Sequence, residues 1–201
     1  MLRYRRRLPH WIPNHSILLV TWRLAGSMPS SGPLMLTAHN TGRFPFVQED
    51  ERLARVSSGP FWLRDPRVAG MLAGALRYGE AVRQFYVLHA WVIMPNHVHV
   101  VLEPRRARPE IMRWLKGRTA RKANLILGRR GQPFWQDESY DHWARTAEEL
   151  NELISYVEHN PVRAGLVESE DQWPWSSARL EADDGLRSSA PHLTGARSGS
   201  R

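Results

Sequence analysis

Two histidines two residues apart, His97 and His99, sit inside the run Trp91-Val92-Ile93-Met94-Pro95-Asn96-His97-Val98-His99-Val100-Val101-Leu102-Glu103. The run reads as a β-hairpin: two apolar stretches broken by Pro95-Asn96. Side chains alternate faces along a strand, so His97 and His99 point one way and Val98, Val100 and Leu102 the other. Two imidazoles side by side on one sheet face can chelate a divalent metal ion, or can be polar residues on a solvated face.

A second group with chemical potential lies some sixty residues downstream. Thr146 caps a helix and Glu149, three residues on, completes a capping box; Leu150, Leu153, Ile154 and Val157 form its core stripe. Successive helical residues turn by about 100°, which places Tyr156 roughly 110° from the centre of that stripe, on an edge with Glu149, Glu152 and Asn160. Asn160 lies one turn after Tyr156, so a metal held by His97, His99 and the Asn160 oxygen would lie close to the Tyr156 hydroxyl. Asn160 also reads as an N-cap with Pro161 opening a further short turn, closed by Gly165. On that reading the main helix ends near Asn160. A tyrosine hydroxyl is almost wholly protonated at neutral pH and needs help to act as a nucleophile. A divalent ion beside it would polarise a phosphate under attack.

The elements that must position these residues follow from the rest of the pattern. A first strand is expected over 16–25, ending at Gly26, and a loop over 27–33. Residues 34–62 give mixed signals, with a weak helix near 49–56. Asp65-Pro66 reads as an N-cap with proline at the first helical position, opening a helix to about Gly79 or Val82. Strands over 84–94 and 97–103 form the hairpin. The next helix, 109–127, carries Met112, Leu115, Thr119, Ala123 and Ile126 as an apolar stripe, flanked by Arg113, Lys116, Arg118, Arg121 and Lys122. A short strand is expected within 134–143. Three regions result: a basic arm over 1–15 with Arg5, Arg6 and Arg7, one domain over 16–180, and a polar, disordered tail over 181–201.

Charge narrows the function. The 201-residue chain has a net charge of +8 from 28 basic residues, and only Lys116 and Lys122 are lysine. Arginine forks suit phosphate, so the arm and the cationic helix are candidate nucleic-acid surfaces. There is no cysteine, which excludes disulfides and thiol chemistry and fits a reducing cytoplasm. No apolar run is long enough to span a membrane.

Met94-Pro95-Asn96-His97-Val98-His99, Tyr156-Val157-Glu158-His159-Asn160-Pro161-Val162-Arg163-Ala164-Gly165-Leu166 and Trp173-Pro174-Trp175-Ser176-Ser177-Ala178 together resemble the REP-associated tyrosine transposases, which are similar to the insertion-sequence transposases of the HUH single-strand superfamily. The likeness runs over about 6–179. It implies a ferredoxin-like α+β fold, with the histidines on a central strand and the tyrosine on a C-terminal helix. By matching position it implies His97, His99 and Asn160 as ligands of magnesium or manganese, and Tyr156 as nucleophile. Ligand softness alone would favour later transition metals. Tyr140, expected in a loop, is a rival nucleophile without the helical relation to Asn160. The implied substrate is single-stranded DNA beside REP-type hairpins, cut and rejoined through a phosphotyrosine, and the implied location is the cytoplasm, near the nucleoid. Two alternatives stand beside it: a non-catalytic hairpin-binding protein or regulator, and a metal nuclease that uses water. Monomer and homodimer are equally compatible with the sequence.

Overall fold

The computed structural model describes residues 16–27, 53 and 59–179. The expected basic arm with Arg5, Arg6 and Arg7, most of the 27–33 loop, all but Leu53 of the 49–56 helix and the 181–201 tail lie outside these residues. The described elements are β1 (Leu18–Arg23), α1 (Pro66–Ala81), β2 (Tyr86–Ile93), β3 (His97–Pro104), α2 (Arg108–Ile126), β4 (Tyr140–Trp143) and α3 (Ala147–Arg163).

The four strands form one antiparallel sheet in the order β2-β3-β1-β4. This is the ferredoxin-like arrangement: each helical crossover joins two strands that have a third between them. Alternation along β1 divides the sheet cleanly. Leu18, Val20 and Trp22 face α1 and α2, packing with Val100 and Leu102 of β3, Leu72 and Leu76 of α1, and Ile111 and Leu115 of α2. Leu19 faces the other way, into a smaller core with Ala90, Val92, Val101, Leu153 and Val157. Leu153 and Val157 of α3 are fully buried there, each worth about 1.5–3 kcal/mol relative to exposure. The helix bearing Tyr156 is thereby pressed onto the sheet face that carries the histidines.

Local chemistry sets the helix starts. Asp65 accepts a hydrogen bond from the backbone N–H of Arg67 at 2.9 Å with Pro66 at the first helical position, as expected. The Arg67 fork on its carboxylate holds the Asp65 pKa down at about 2. Thr146 accepts from the Glu149 N–H at 3.2 Å. The Glu149 carboxylate, however, takes the Arg145 N–H at 2.8 Å and His142 Nε2 at 2.8 Å, which ties the start of α3 to β4.

Two expectations need correction. The last helix does not end at Asn160: it continues through Pro161 to Arg163, so Asn160 is no N-cap. Proline removes only its own N–H, and this close to the C-terminus the chain recovers by bonding Ala164 N to Asn160 O and Leu166 N to Pro161 O, with Gly165 at φ +67°. Tyr140 lies on a strand rather than in a loop.

The Trp173-Pro174-Trp175-Ser176-Ser177 segment covers the free edge of β2. Ile93 N–H donates to Trp175 O at 2.9 Å, Trp173 Nε1 donates to Ile93 O at 3.0 Å, and Ser177 Oγ accepts from Trp91 N–H at 3.0 Å. An edge strand that would template pairing with another chain is blocked.

Candidate active site

His97 and His99 project from the central strand β3 on the α3 side of the sheet and are fully buried. Their rings meet edge to face with centroids 4.7 Å apart. Each imidazole has its Nδ1 engaged. His97 Nδ1 lies 2.7 Å from Asn96 Oδ1, and the Asn96 amide is held in that orientation because its Nδ2 donates to Leu53 O at 3.0 Å. His99 Nδ1 lies 2.7 Å from Thr21 Oγ1, directly across the β1–β3 ladder. In the tautomer whose Nδ1–H donates to these oxygens, each ring keeps its Nε2 lone pair, the arrangement found where a second shell orients metal-binding histidines.

The α3 residues close over this pair. Asn160 is 2% exposed, with its amide nitrogen 3.4 Å from His99 Nε2. One turn earlier the half-buried Tyr156 ring stands edge to face with His99, centroids 6.0 Å apart. The Arg163 guanidinium lies 4.8 Å from the centre of the Tyr156 ring, a cation–π contact that restrains the phenol. The structure thus brings together four sequence-derived residues: His97, His99, Tyr156 and Asn160.

The donor set fits a divalent cation. Two adjoining imidazoles, one with its Nε2 at the Asn160 amide, meet a buried carboxamide whose oxygen and nitrogen exchange places on a half-turn of the amide. Among the described residues no three His, Asp, Glu or Cys side chains cluster to hold a metal, so the amide is what makes a third ligand available here. Imidazole and amide oxygen suit a range of divalent ions, and the set does not single out magnesium.

Tyr140 shares this face. It pairs with Thr21, which pairs with His99, so the three form a row across β4, β1 and β3. Burial pushes the Tyr140 hydroxyl upward in pKa, and the neighbouring Asp141 charge adds to the effect. A phenol held more firmly protonated needs more help to act as a nucleophile.

The cationic residues of α2 have a different placement. Arg113, Arg118, Arg121 and Lys122 are exposed on the helix that covers the opposite sheet face. Arg118 lies over the stacked pair Tyr78 and Trp114, at 5.2 and 5.8 Å from the ring centres. Lys116 is spent internally: its ammonium donates to the carbonyls of Gln136, Asp137 and Glu138 at 2.6, 2.9 and 3.3 Å, fixing the approach to β4. The sequence alone does not point to Thr21 or Asn96, the residues that engage the two Nδ1 atoms. The period-2 pattern Leu19, Thr21, Arg23 was the available signal, but it becomes informative only once β1 is known to pair with β3.

A histidine pair on a central strand, faced by a tyrosine and an amide one turn apart on a C-terminal helix, defines an α+β class with a compact composite site. Residues 76–160, which contain all four of these side chains, match the family model described as transposase, IS200 like. The chain resembles the REP-associated tyrosine transposases. One such protein, from Escherichia coli (strain K12), is 25% identical over 104 residues, 50% of this chain and 59% of that protein; the aligned stretch spans less than two thirds of its relative. A solved structure of a REP-associated tyrosine transposase bound to a REP hairpin superposes with a TM-score of 0.57 at 18% identity, over 100% of this chain and 98% of the other. At that identity the match establishes the fold.

Proposed function

We propose that the protein is a metal-dependent tyrosine transposase or endonuclease that cuts and rejoins single-stranded DNA beside REP-type hairpins through Tyr156. The observation that carries this reading is the meeting of Tyr156 and Asn160 with the buried, Nδ1-anchored pair His97 and His99. Binding alone would not need two buried histidines, each anchored at Nδ1, beneath a tyrosine.

His97, His99 and Asn160 would hold magnesium or manganese, which when bound supplies Lewis-acid polarisation of the phosphate. Tyr156 supplies the nucleophile. Its phenolic oxygen forms a bond to phosphorus as the bond to one sugar oxygen breaks; the phenol gives up its proton and the departing oxygen takes one up, leaving a free hydroxyl on one end and a phosphotyrosine on the other. Bond energy is conserved, so attack by a DNA hydroxyl on the phosphotyrosine reverses the step and rejoins a strand without a nucleotide cofactor. Arg163 restrains the ring for this attack, and burial of the histidines excludes water that would compete for phosphorus.

Arg113, Arg118, Arg121 and Lys122, with Arg5, Arg6 and Arg7 of the N-terminal arm, are proposed to hold DNA phosphates. A substrate gripped on α2 and cut at Tyr156 must reach around the sheet, which suits a folded stem continued by a flexible single strand. Such a protein would work in the cytoplasm at the nucleoid; no described helix is long and apolar enough to cross a membrane.

The metal step is tested by titrating manganese into wild type, His97→Ala and His99→Ala, each checked for folding by circular dichroism, and assaying cleavage of a labelled hairpin substrate. The expected outcome is loss of both manganese binding and cleavage in each variant. Full manganese-dependent cleavage by either variant would contradict the ligand assignment.

A further inference from the structure

We propose that Arg23 is a phosphate clamp of the active site, binding the non-bridging oxygens of the phosphodiester that Tyr156 attacks. The inference rests on the transesterase reading above and adds to it a residue outside the stretch that matches the family model.

Three observations carry it. Arg23 is the direct cross-strand partner of His97 in the β1–β3 register, so the two side chains leave the same sheet face with their Cβ atoms about 5 Å apart. The alternation of β1 agrees: Trp22 and Leu24 on either side of Arg23 are buried in the opposite core. Second, Arg23 is half-buried, and its guanidinium has no carboxylate partner among the described residues; its contact is a long one of 3.5 Å from Nη1 to Ser27 Oγ. A partly buried cation with no carboxylate beside it leaves a local positive charge that an anion would balance. Third, the backbone that carries it is pinned on both sides. Arg23 O accepts from Gln136 N–H and Leu24 N–H donates to Asn96 O, each at 2.9 Å.

A planar fork of N–H donors on a fixed strand, directly across the ladder from His97, matches the needs of phosphoryl transfer. Negative charge on the equatorial oxygens must be neutralised while the nucleophile and leaving group lie in line. Arg23 does not replace the His97, His99 and Asn160 ligand set; it grips the phosphate from the β1 side while α3 presents Tyr156.

The test measures single-turnover adduct formation by the full chain with manganese, using end-labelled hairpin DNA whose scissile phosphate is either native or a methylphosphonate. Arg23→Gln is expected to slow adduct formation on native DNA by about 10²-fold while affinity for a hairpin stem that lacks the scissile phosphate is unchanged. On the methylphosphonate, which lacks the charged oxygen, the variant and wild type are expected to react alike. If Arg23→Gln does not fold by circular dichroism, Arg23→Lys replaces it, with an expected loss of about tenfold because an ammonium cannot fork. A variant as fast as wild type on native DNA overturns the proposal and leaves the transesterase reading intact. A variant equally slowed on both substrates overturns it in favour of a purely structural role. Wild type that forms no adduct overturns both.

Discussion

Asn96 and Thr21 set the orientation of the His97 and His99 rings. Each takes up one Nδ1 at 2.7 Å, and supporting partners of this kind typically contribute 10- to 100-fold to metal affinity or activity. Asn96→Ala and Thr21→Val are therefore expected to weaken manganese binding by about tenfold or more with the fold retained, as read by calorimetric titration. At this scale the sequence was informative about residue type and face. The His-x-His spacing on a strand and the i, i+4 relation of Tyr156 to Asn160 require only strand and helix periodicity. It left open whether Asn160 was a cap or a ligand, because Asn-Pro is compatible with both. Burial of the amide against His99 resolves its position. Arg23 was illegible for a different reason: its meaning comes from a partner 74 positions away in the chain, fixed by strand register.

Elements show where local rules suffice and where packing overrides them. In α1, Gly74 and Gly79 look equivalent in sequence, and both should gain about 1 kcal/mol as alanine on propensity alone. A Cβ at Gly74 meets nothing within 4 Å, whereas at Gly79 it would overlap Tyr86 and approach Trp114 Cζ3 at 3.1 Å. Tyr86 is fully buried and its hydroxyl donates to Leu76 O at 2.8 Å, so it has little freedom to give way. Overpacking costs about 1–3 kcal/mol. Gly74→Ala should raise the urea midpoint and Gly79→Ala should lower it; shifts of the same sign would contradict the packing described. The capping residues Asp65 and Thr146 and the hairpin turn at Pro95-Asn96 were legible because their chemistry is local. The irregularity between Leu88 and Ala90 in β2 was not, since a lone polar His89 within an otherwise apolar strand does not by itself signal that it is the extra residue of a register shift. Likewise Pro161 signalled a helix end that the C-terminal turn absorbs.

For the whole molecule, the split between the two sheet faces is the organising fact. One face is filled by α1 and α2 and presents the exposed cations; the other holds the histidines beneath α3. If α2 grips phosphates, hairpin affinity must fall with salt, because each neutralised phosphate releases counterions. Replacing Arg121 and Lys122 with glutamine should flatten the slope of log affinity against log salt by about 0.9 per lost contact. An unchanged slope would remove these two residues from the interface. The antiparallel α+β architecture could be anticipated from the hairpin, the helix patterns and the motifs, but the placement of the cations across the sheet from Tyr156 could not.

A covalent bond between Tyr156 and DNA is what separates a transesterase from a nuclease or a hairpin-binding protein. The direct measurement incubates the protein with end-labelled single-stranded hairpin DNA and manganese, then resolves the products on a denaturing gel beside Tyr156→Phe. Label is expected to migrate with wild-type protein, to be abolished by chelator and to be absent from Tyr156→Phe. Cleavage without an adduct, undiminished in Tyr156→Phe, would contradict a covalent step through Tyr156 and make water the nucleophile; tight binding with neither adduct nor cleavage would leave a hairpin-binding protein with an idle site.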